Sequence, residues 1–73
     1  MLSNKAQDIL RHKVRGKLST LCASVSRAQI ERIADDAVLA VRDDDDMLFD
    51  MLVDAATRIA LEEADHPERW PHA

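Results

Sequence analysis

Between Met47 and Ala60 apolar residues recur at helical spacing along two lines. One reads Met47, Leu48, Met51, Leu52, Ala55, Ala56 and Ile59, and the other Phe49, Val53 and Ala60 beside it. On a helix turning about 100° per residue these positions fill roughly 200°, whereas a helix lying on a single core needs an arc of about 100°. The pattern predicts a helix over about residues 45–65 that serves two surfaces.

Two further helices precede it. Leu10, Val14, Leu18, Leu21 and Val25 are spaced 4, 4, 3 and 4 apart and hold one seam, with Cys22 on its flank, so the first helix is expected over about residues 4–23. Asn4 and Gln7 form a capping pair for its start, with Ser3 as the competing cap. Gly16 interrupts its polar side at a cost of up to about 1 kcal/mol relative to alanine, marking a bend or a close approach by another backbone. Ser24 and Ser26 end the helix, because serine competes for backbone hydrogen bonds. Ser26 with Gln29 is then a second capping box, stapled by Val25 and Ile30. The second helix, about residues 27–42, buries Ile30, Ile33, Ala34, Ala37, Val38 and Val41 and leaves Leu39 on the opposite face.

Asp43, Asp44, Asp45 and Asp46 end the second helix and open the third, as N-caps whose charge suits the positive end of a helix dipole. Pro67 disfavours helical geometry in the residue before it and closes the third helix near Asp65 or His66. Residues 67–73, with Trp70, form a short tail. One glycine, two prolines and two aromatics leave little turn or sheet chemistry, so the fold expected for residues 1–73 is one all-α domain, a small three-helix bundle or helical hairpin.

A chain of 73 residues buries only about 60% of its unfolded surface, and small domains gain stability from disulfides, metals or self-association. Cys22 stands alone, and His12, His66 and His72 do not add a zinc spacing to it. Self-association remains. Phe49, Val53, Ala56 and Ala60, spaced 4, 3 and 4, average the 3.5 residues of a coiled-coil seam and are the expected homodimer contact. The competing arrangement covers both sides of the third helix with the first two. No apolar run reaches the roughly 20 residues of a membrane span, and a lone thiol fits a reducing compartment, so the expectation is a soluble cytoplasmic protein with no membrane contact.

The net charge of −4 is uneven. Residues 1–17 carry five cations against one acid, +4, while residues 26–73 carry thirteen acids against five arginines, −8. The aspartate run does not fit a calcium loop, since the fifth, sixth and twelfth positions from Asp43 are Met47, Leu48 and Asp54. No phosphate loop, nucleophile elbow or metalloprotease helix is present, so no enzyme, cofactor or metal site is expected. The expected function is binding another protein, as an inhibitor, adaptor or accessory factor of the kind small acidic helical proteins supply in bacteria and phages. Leu39 and Trp70 are its apolar anchors, Arg11, Lys13 and Arg15 its contacts for an acidic partner, and Asp43 to Asp46 its contacts for a basic one. The alternative is nucleic-acid binding through the basic first helix.

Overall fold

A computed structural model of the chain describes residues 2–44 and 46–69. Three helices, α1 (Asn4–Leu21), α2 (Arg27–Val41) and α3 (Phe49–Ala64), precede a 3₁₀ turn at Pro67–Arg69, and no strand occurs among the described residues. Each helix packs against the other two, giving the all-α bundle that the periodicity implies. Arg11 lies beside Asp35 and Arg15 beside Glu31, so numbers rising along α1 meet numbers falling along α2 and the two helices run antiparallel.

Ser3, rather than Asn4, caps α1: its Oγ accepts the Ala6 N–H at 3.1 Å. Gln7 is thereby freed for another task. Its Nε2 donates to the Leu2 carbonyl at 2.9 Å, and the Leu2 N–H donates to the Arg42 carbonyl at 2.9 Å, strapping the start of the chain to the end of α2. At its other end α1 stops at Leu21, two residues before the expected limit, because Cys22 leaves helical geometry while its N–H still reaches Leu18 O at 2.7 Å. Leu21 is therefore 61% exposed instead of completing the seam.

Ser26 caps α2, its Oγ accepting the Gln29 N–H at 3.3 Å. The return half of the box is not made: Gln29 Oε1 is buried with no hydrogen-bond partner. All six residues of the expected stripe, from Ile30 to Val41, are buried, and Leu39 is 51% exposed on the far side.

α3 begins four residues later than the pattern implies. Leu48 is its N-cap and offers no side-chain hydrogen bond, so the aspartates do not cap it; Asp50 in the first turn supplies the acidic charge instead. Met47, just before it, packs half-buried against the core while the chain there is still outside helical geometry. The helix closes at Ala64, with the Asp65 N–H donating to Leu61 O at 3.1 Å and Glu62 O at 3.2 Å ahead of Pro67.

The core joins Leu10, Val14 and Leu18 of α1 to the α2 stripe and to Leu52, Val53, Ala56 and Ala60 of α3. Thr57 is buried among them and satisfies its hydroxyl by donating to Val53 O at 2.6 Å. The expected self-association line is corrected here: Val53, Ala56 and Ala60 are core residues and Phe49 packs half-buried against them. α3 touches both α1 and α2, so the chain itself covers that line. No helix among the described residues is long and apolar enough to cross a membrane.

Gly16 is helical with a negative φ, and a Cβ built on it meets nothing within 4 Å. Among the described residues no other element's backbone approaches it. Gly16→Ala is therefore expected to stabilise the fold by about 0.5–1 kcal/mol, read as a higher urea midpoint at unchanged slope.

Candidate functional site

The cations of α1 are bound mostly within the chain. Arg11 reaches Asp8 at 2.9 Å and Asp35 at 2.8 Å, Arg15 approaches Glu31 at 3.6 Å, and Lys17 approaches Asp54 at 3.5 Å. The Arg11 Nε lies close to Asp35 Oδ1 but off the N–H axis, so that contact is electrostatic rather than a hydrogen bond. All of these groups are a third or more exposed, and such pairs contribute about 0–1 kcal/mol each. Their main effect is to orient the helices and neutralise the basic face. Lys13 makes no ion pair among the described residues.

Beside this face, α1 and α3 enclose an open groove of about 650 Å³. Lys13, Gly16, Lys17, Thr20 and Leu21 line one wall and Asp50, Val53 and Asp54 the other. The missing side chain at Gly16 widens it. Thr20 directs its hydroxyl back to Gly16 O at 3.3 Å, and the groove holds no nucleophile and base pair, only lysines on one rim and aspartates on the other.

The larger feature is apolar and lies on α3. Leu48 is 73% exposed, Met51 53% and Ile59 38%, with Ala55 half-buried between them. At 3, 4 and 4 residue spacings these four occupy an arc of about 80° beside the core-facing arc. The excess apolar width legible in the sequence is thus divided differently from expectation. Leu52, Val53, Ala56 and Ala60 go inward, and Leu48, Met51, Ala55 and Ile59 remain at the surface. Sequence reasoning named the wrong line as the outer one, because periodicity fixes which residues share a face but not which face a neighbour covers.

The other expected contacts are scattered. Leu39 stands on the outer face of α2, while Asp43 and Asp46 are exposed and Asp44 half-buried in the α2–α3 connection. Asp45 and Trp70 lie outside the described residues. Among the described residues no group of histidine, cysteine or carboxylate side chains is arranged to hold a metal ion. Cys22 is half-buried beside the core.

One pair of carboxylates faces the α2–α3 junction. Burial, then the charge of Asp36, and then a hydrogen bond with Asp36 raise the Glu63 pKa above its ordinary 4.5. The folded state therefore binds more protons than the unfolded state above that value, and stability falls as pH rises through the Glu63 pKa. Glu63→Gln, which removes the charge, is expected to raise the melting temperature at pH 7, with the gain disappearing as pH is lowered toward 4.5. Searches against protein-family models, curated proteins and solved structures return no match for this chain.

Proposed function

We propose that this protein is a small non-enzymatic interaction module that works by binding protein, itself included, through the outer strip of α3. The observation that carries the reading is the row Leu48, Met51, Ala55 and Ile59, three of whose side chains are large, apolar and exposed. Isolated exposed apolar residues are ordinary. Four aligned on one helix face in a 73-residue chain form the kind of ridge that enters the groove of another helix or a partner surface. Binding of this type rests on a few apolar anchors, with charged rims setting approach and choice of partner. Asp50 and Asp54 on one side and Leu39 on α2 border the same molecule's remaining surface and are secondary contacts.

Nucleic-acid binding through α1 has less support. Arg11, Arg15 and Lys17 already have acidic neighbours within the chain, leaving Lys5 and Lys13 as the α1 cations without an ion pair among the described residues. Inhibitor, adaptor and accessory roles all use a protein-binding ridge, and the identity of the bound protein distinguishes them.

The test is Met51→Asp, which places a charge in the middle of the strip without entering the core. Helicity by circular dichroism is expected to stay at the wild-type value. Concentration-dependent association in light scattering, and capture of protein from a lysate of the source cells, are both expected to be lost. A variant that keeps every association the wild type makes would overturn the reading, as would a wild type that stays monomeric and captures nothing.

A further inference from the structure

We propose that the outer strip of α3 is the seam of a twofold dimer, in which α3 lies antiparallel against α3 of a second copy and the two helices cross at Ala55. The proposal rests on the strip being a protein-binding surface, and it names the occupant.

The central part of the strip is symmetric about Ala55, while Leu48, seven residues before it, falls opposite the partner's Glu62, seven residues after, at the rim of the seam. Met51 stands four residues before it and Ile59 four residues after, about 6 Å along the helix in each direction. A twofold axis through Ala55 therefore sets Met51 of one protomer against the partner's Ile59 and the reverse, so that two large apolar contacts flank a small one. Alanine at the crossing lets the axes approach toward the short end of the 8–10 Å range for packed helices. In an isologous interface each favourable contact occurs twice.

Charge suits the antiparallel arrangement. Asp54 and Arg58 are one turn apart on the same flank of the strip, both exposed. Arg58 makes no ion pair among the described residues, and Asp54 has only the Lys17 ammonium at 3.5 Å with its own side chain 67% exposed. When two helices pair antiparallel about a perpendicular twofold, the same flank of each lies together. Residues whose numbers sum to about twice 55 are then opposite, which places Asp54 by the partner's Arg58 and Arg58 by the partner's Asp54. In the antiparallel orientation this flank is thus complementary in sign to itself.

The experiment uses the full chain in a Cys22→Ser background. Ala55→Cys is expected to form a disulfide-linked dimer on mild oxidation, since the crossing brings the two positions within bonding range. Met51→Cys alone is expected not to link, but to link when mixed with Ile59→Cys. In the original background, Arg58→Asp and Asp54→Arg are each expected to weaken dimerisation by roughly tenfold through two repulsive pairs. Mixed in equal amounts they are expected to recover it as a heterodimer, a result that a merely destabilised fold cannot give. Self-linking of Met51→Cys would overturn the antiparallel geometry. A dimer in which Ala55→Cys does not link, and whose mass ignores Arg58→Asp, would place the seam elsewhere. A wild type monomeric at every concentration would overturn the second copy as occupant; if Met51→Asp still abolished capture of another protein, the protein-binding reading would stand alone.

Discussion

Packing of α2 and α3 through alanine positions is the constraint on which this structure depends. Ala34, Ala37, Ala56 and Ala60 have no exposed surface, and their short side chains let the helices come near enough for Leu10, Leu18, Ile33 and Leu52 to fill the interior. Interiors packed this densely respond to a change of one methylene. In so short a chain, burying only about 60% of its unfolded surface, few large residues are available to stabilise the fold. Each of the fully buried ones contributes about 1.5–3 kcal/mol, against a conformational entropy of similar total size. The Gln7 to Leu2 to Arg42 strap adds a tie between the chain start and α2 at the edge of this small core.

The same constraint divides α3. Because α1 and α2 both pack against it, its inward arc is wide and takes Val53, Ala56, Thr57 and Ala60 together with Leu52. What neither neighbour covers is the strip from Leu48 to Ile59, and this is the surface the functional reading uses. Charge follows the packing: the basic face of α1 lies over acids of α2 and α3, so Arg11, Arg15 and Lys17 are compensated within one molecule while most of the acids stay outward.

Much of this was legible in the sequence where a helix carries one apolar line with no rival beside it. The α2 stripe is read correctly from Ile30 to Val41, with Leu39 outside, since α2 presents one face inward. Ser26 is readable as a cap because its hydroxyl acts within three residues. Less legible were features set by distant parts of the chain. Gln7 turns to the Leu2 carbonyl instead of completing a cap, and Met47 packs on the core ahead of an α3 that begins only at Phe49. The expected outer line of α3 faces inward for the same reason: spacing identifies the lines, and only the placement of α1 and α2 says which is covered. The Asp36 and Glu63 pairing likewise depends on how α2 meets α3, which no spacing along either helix encodes.

The central claim is that Ala56 belongs to the core and not to an outer seam, and urea unfolding of Ala56→Leu tests it most directly. Overpacking a site with no exposed surface is expected to lower stability by about 1–3 kcal/mol, seen as a lower midpoint at a protein concentration where the wild type and the variant have the same solution mass. An unchanged midpoint together with a changed solution mass would place Ala56 on the outside of the bundle and contradict the account.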